Sequence, residues 1–109
     1  VGASNLQALV AENALFHEVI LAAAASERLT GMVRQVVVLP LVYKSYIWYS
    51  PEQATASYRY HCKLTDAIEK RDARRADRVM REHVEAAHRV LAQHMGGLSE
   101  ASDAGGAAA

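Results

Sequence analysis

Apolar residues recur at helical spacing in four segments of this chain, parted by short polar breaks. In the first, from about Asn5 to Ala25, one face carries Leu6, Val10, Asn13, His17, Ile20, Leu21 and Ala24. Ser4 is placed to cap its start, and Ser26 to open the next helix. The second runs from about Glu27 to Tyr49, with Leu29, Val33, Val36, Val37, Pro40, Leu41 and either Tyr43 or Lys44 on one broad face. The run Val36-Val37-Val38 also suits a strand. The periodic pattern on both sides favours a helix, kinked at Pro40, which lacks a backbone donor. Ser50-Pro51-Glu52 reads as a helix start, because Ser accepts at the N-cap, Pro fits the first turn and Glu faces the positive dipole end. The third helix then reaches about Arg71, with Ala54, Tyr58, His61, Leu64, Ala67 and Ile68 inward. Asp72 caps a fourth, whose stripe is Ala76, Val79, Met80, His83, Ala87, Val90 and His94. Gly96-Gly97 is expected to end it. Short connections make successive helices antiparallel neighbours. The expected fold is an all-α antiparallel bundle over residues 1–97, followed by a disordered tail over 98–109.

Composition narrows the function. Twelve basic and twelve acidic residues cancel, so this segment lacks the basic footprint of a nucleic-acid binder. The single Cys62 excludes an internal disulfide and fits a reducing compartment such as the cytoplasm. No apolar run reaches the roughly 18 residues that a membrane span needs. The first residues carry no basic region of a signal peptide.

Three histidines stand out against the helical phase. At about 100° per residue, His17, His61 and His83 each fall at the centre of an apolar stripe. Asn13 lies one turn before His17, within reach of the same ion. The candidate ligand set is therefore Asn13, His17, His61 and His83, since neutral imidazole is the commonest protein ligand for divalent transition metals. The alternative is that each is an ordinary core histidine satisfied by hydrogen bonds. His94 shares the fourth stripe but lies eleven residues from His83, roughly 16 Å along a helix, too far for a shared ion. His88 points away and is expected to be solvated. Tyr43, Tyr46, Trp48, Tyr49, Tyr58 and Tyr60 form an aromatic group, suited to packing or to lining a ligand cavity.

Ordered motifs then carry a resemblance. Asn13-Ala14-Leu15-Phe16-His17 resembles the D/N-x-x-F-H motif of the FCD domain, the C-terminal effector-binding domain of FadR-type GntR transcription regulators. Ala22 to Leu29 is similar to the small-residue turn that follows it there. His61 to Ile68 resembles H-x-x-[IL]-x-x-A-[IL], and Asp72, Ala76 and Met80-Arg81-Glu82-His83 resemble D-x-x-x-A and M-x-x-H. The resemblance covers roughly residues 5 to 95. It implies metal ligands at Asn13, His17, His61 and His83, with an amide at Asn13 where metal-binding members usually carry Asp. That exchange removes a charge and lowers the expected affinity. It also implies a fold of six or seven helices, of which this chain supplies about four, and a winged helix-turn-helix on an absent N-terminal part.

The expected function follows. The resemblance implies a sensing domain that binds a small organic acid at the metal, zinc first, with nickel or manganese as alternatives. An attached domain would contact DNA, the protein would be a homodimer, and no membrane would be involved. Arg34, Lys44, Tyr58 and Arg59 are the candidate effector contacts. Two other readings remain: a metal-dependent hydrolase and a metal-free helical dimerisation module. A hydrolase wants a general acid or base beside its metal, and no Asp or Glu falls on the inner faces near the three histidines. The expectation is therefore a sensor and not an enzyme.

Overall fold

The structure, a computed structural model, describes residues 3–36 and 46–106. Among these residues the chain is all-α, with α1 at Ala3–Ala24, α2 at Glu27–Val36, α3 at Pro51–Glu69 and α4 at Ala73–Gly106. They fall into two compact units, 1–47 and 48–109. The expected kink at Pro40, the strand alternative beyond Val36, Tyr43 and Lys44 lie outside the described residues.

In the first unit, α1 and α2 form a hairpin around Ala25. Ala25 takes a left-handed φ of 51°, which reverses the chain within two residues. Ser26 caps α2, its hydroxyl accepting from the Leu29 amide at 3.1 Å. Arg34 reaches back to Glu18 and donates to both carboxylate oxygens, at 2.7 and 3.4 Å. The expected stripe of α1 is its less exposed face except at Ala24, which is exposed: Leu6, Val10, Asn13, His17, Ile20 and Leu21 are half-buried, while Leu15 and Val19 opposite are exposed.

One expectation about α1 needs correcting. Asn5–Ala24 is long and apolar enough to cross a membrane, with a mean hydropathy of 1.3. Counting uninterrupted apolar runs missed it, because Glu12, Asn13, His17 and Glu18 break the run without lowering the average far enough. Those polar groups sit mid-helix, where hydrocarbon would be costly for them. They suit a helix packed among others better than one facing lipid.

In the second unit, α3 and α4 pair along most of α3. The start of α3 is the expected one: the Ser50 hydroxyl accepts from the Gln53 amide at 3.1 Å, and the Gln53 side chain accepts from the Ser50 amide at 2.8 Å. This reciprocal capping box satisfies two otherwise orphaned donors. The turn into α4 uses Arg71 at a φ of 55°. Asp72 then caps α4 by accepting from the Arg75 amide at 3.0 Å. Asp66 clamps the turn, taking an ion pair from Lys70 at 2.9 Å and another from Arg75. These hydrogen bonds, from Lys70 first and then Arg75, hold the Asp66 carboxyl below the usual carboxylate range.

The core of this hairpin is Leu64, Ala67, Val79 and Val90, with Ser57 and His83 buried beside them. The small Ala67 and Ser57 let α3 and α4 approach closely around Leu64, which is 2% exposed. The α4 stripe falls as expected. The α3 stripe is corrected at two positions: Tyr58 is 68% and Ile68 50% exposed, and Ser57 and Tyr60 take their place on the seam beside His61, Leu64 and Ala67. Ala54, His61, Leu64 and Ala67 face inward as expected; the apolar character of Tyr58 and Ile68 had drawn the expected face round by only part of the roughly 100° that one residue spans.

Helix α4 also ends later than expected. It continues through Gly96-Gly97 to Gly106. A glycine stop depends on a left-handed residue, and neither glycine has a positive φ. The following segment supplies Leu98, Glu100, Ala101 and Ala104, all good helix formers. Residues 98–106 are therefore helical where a disordered tail was expected, and 107–109 lie outside the described residues.

Candidate metal centre

His61 and His83 meet across the α3–α4 seam. Their Nε2 atoms are 3.2 Å apart, and their rings stand nearly perpendicular, with centroids 4.9 Å apart. The 22-residue interval places one on each arm of the hairpin, with Leu64 and Val79 as buried neighbours in the seam. His83 is 7% exposed, and His61 is half-buried. The Tyr60 ring lies 5.5 Å from that of His83.

At this separation one imidazole can donate to the other, which requires at least one ring to offer a lone pair. The same geometry suits a shared metal. Two nitrogens each about 2.0–2.1 Å from a tetrahedral zinc lie about 3.3–3.4 Å apart. The observed spacing is within about 0.2 Å of that value, so the two side chains fit a common ion without rearranging the seam.

In the other unit, α1 places Asn13 and His17 one turn apart on its half-buried face. His17 meets the Phe16 ring edge-on at 5.6 Å. Burial lowers the His17 pKa below its ordinary value, because desolvation disfavours the imidazolium. The neutral ring is the form that ligates metals.

The expected effector contacts are less favourably placed. Arg34 is engaged by Glu18, Arg59 is exposed, and Tyr58 is mostly exposed. Lys44 lies outside the described residues. Of the other histidines, His88 is exposed, as expected. His94 stacks flat on Trp48, with ring centroids 4.9 Å apart and planes 7° apart, and its Nδ1 meets the Val90 carbonyl at 3.0 Å. The aromatic group thus splits. Trp48 packs against α4, while Tyr49 and Tyr60 line a groove of about 240 Å³ beside His83. Burial raises the Tyr49 pKa. Sequence reading missed the polar residues of this groove, Gln53, Arg89 and Gln93, because they sit on the shoulders of their helix stripes.

The family model of the FCD domain matches residues 1–86. The chain belongs to the FCD-domain family. Its match spans α1, α2, α3 and the part of α4 that carries His83. FCD domains are the effector-binding, regulatory domains of GntR-family transcription regulators. Neither the curated proteins nor the solved structures include a match to this chain.

Proposed function

We propose that this FCD domain senses a small carboxylate through one divalent ion, zinc first, held by His17, His61 and His83. The Asn13 amide oxygen stands as a fourth, weaker group. Nickel and manganese fit the same imidazole and amide donors. The observation that carries the reading is the pairing of the His61 and His83 Nε2 atoms at 3.2 Å within the FCD domain. His17 joins them on two supports: it occupies the corresponding motif on α1, and its half-buried imidazole is biased toward the neutral form. When bound, the ion supplies a positive centre with open positions for a carboxylate oxygen.

Binding would bias the helices between two arrangements, through different effector affinities for each. A winged-helix domain attached to this one in a cytoplasmic GntR-type regulator would turn that bias into altered DNA affinity. The exposed apolar side chains Leu15, Val19 and Met32 support a homodimer. A monomeric mass by sedimentation equilibrium would remove that element. A metal-free helical module is the second reading, because a direct His61–His83 hydrogen bond also accounts for the 3.2 Å spacing.

The deciding experiment measures metal content in untagged protein after zinc reconstitution and exhaustive dialysis. The expected result is one ion per chain, lost in His61→Ala and in His17→Ala. Wild-type protein that stays metal-free would leave only the helical module. Small carboxylates should then raise the melting temperature of the zinc form and not of the chelated form, since a ligand of the folded state stabilises it.

A further inference from the structure

The groove beside His83 lies wholly within the α3–α4 unit. Gln53, Ser57 and Tyr60 line it from α3, and His83, Arg89 and Gln93 from α4. At about 240 Å³ it falls below the roughly 300–1,000 Å³ of most ligand pockets, which suits a compact ligand. No carboxylate side chain lines it among the described residues. Arg34, Arg75 and Arg81 are each held by an acidic partner, whereas Arg89 makes no ion pair among the described residues. The groove therefore carries an uncompensated guanidinium. Its other polar groups are donors or adaptable: the Gln53 carbonyl oxygen is used by the Ser50 amide, leaving its amide nitrogen for another acceptor, and Gln93 offers a second carboxamide.

Spacing gives the ligand its form. Arg89 follows His83 by six residues, about 9 Å along the helix axis. Six residues also set Arg89 about 120° round the helix from His83, but both line the same groove, and the lean of long helical side chains toward the N-terminus shortens the axial gap. A molecule with one carboxylate near His83 and a second one a few bonds away meets a cation at each end. Arginine suits the far end because its planar fork binds a carboxylate through two parallel hydrogen bonds.

We propose that Arg89 determines specificity by clamping the distal carboxylate of the effector, which makes the preferred effector a short dicarboxylate and not a monocarboxylate. Gln53 and Gln93 flank that end, and the alanine and valine surface between them accepts the short methylene chain. The inference rests on the metal-sensing reading, because the proximal carboxylate is the one that would meet the ion.

The test is calorimetric titration of the zinc-loaded full chain with succinate and with butyrate, at matched ionic strength. Succinate is expected to bind wild-type protein at least tenfold more tightly than butyrate. Arg89→Gln should reduce succinate binding to the butyrate level and leave butyrate binding unchanged. Arg89 is exposed, so the variant is expected to fold, and an unchanged melting curve checks this. Equal affinity for the two acids in wild-type protein would overturn the assignment of Arg89 while leaving the metal-sensing reading intact. So would a succinate preference that survives Arg89→Gln. Failure of both acids to bind zinc-loaded wild-type protein would overturn the metal-sensing reading and the Arg89 assignment together.

Discussion

Replacing His83 with leucine separates the stability of the hairpin from the chemistry of its site. His83, 7% exposed, is a buried polar side chain of the α3–α4 seam, with Val79 one turn before it and Val90 two turns after. In His83→Leu the hydrogen bond to His61 disappears, at a cost of about 0.5–1.5 kcal/mol. Burying a leucine in the same place returns about 1.5–3 kcal/mol, reduced by the imperfect fit of a branched side chain to the site of a flat ring. The two nearly cancel, and His61 is only half-buried, so the loss of its partner leaves it access to water. The metal-free variant should therefore lie within about 1 kcal/mol of the metal-free wild type. The metal-loaded forms should differ much more. An ion present at a thousand times its dissociation constant stabilises the folded state by about 4.1 kcal/mol, and that increment should vanish in His83→Leu. Urea unfolding of both proteins, with zinc and with chelator, measures all four values. The reasoning is refuted if His83→Leu costs more than about 2 kcal/mol in chelator, or if zinc stabilises it as much as the wild type.

Three further outcomes follow from the α3–α4 unit. Leu64→Ala removes its most buried large side chain and should cost about 2–5 kcal/mol; a loss under 1 kcal/mol in urea unfolding would show that the seam is not packed as described. The lowered Asp66 pKa means that its contribution is complete above the usual carboxylate pKa and is lost as pH falls through the lowered folded value. The gap in melting temperature between wild type and Asp66→Asn should thus be open at neutral pH and close only in strong acid, and a gap that does not change with pH would contradict the clamp. His94→Ala removes the ring stacked on Trp48 and should cost about 0.5–1.5 kcal/mol beyond the lost area. It should also shift the emission of the sole tryptophan, and an unchanged spectrum would mean the stack does not form.

How far the sequence disclosed the site differs residue by residue. His61 and His83 were legible because helical phase and a 22-residue interval across one tight turn leave little freedom: if α3 and α4 pair around Arg71, those rings must meet. The start of α3 was equally legible, since Ser50, Pro51 and Glu52 act locally, although the reciprocal bond of Gln53 to the Ser50 amide was not foreseen. The end of α4 was not, because a glycine pair stops a helix only if one residue turns left-handed, and helix formers beyond it can carry the helix on. Tyr58 and Ile68 misled for a related reason. Apolar character marks a face only to within about one residue, and the small Ser57 and Ala67 that let the helices approach carry almost no hydrophobic signal. Arg89 and Gln93 were passed over because they lie on the shoulder of the α4 stripe, where a polar side chain reads as solvated until the neighbouring helix closes a groove beside it.

X-ray absorption at the zinc edge of reconstituted, untagged protein tests the shared ion most directly, because scattering through imidazole rings counts the histidines bound. Three histidine ligands are predicted for wild type, at the Zn–N distance of about 2.0–2.1 Å, and two for His17→Ala under saturating zinc. A wild-type spectrum with no more than two histidine ligands, unchanged by His17→Ala, would contradict a site shared by His17, His61 and His83.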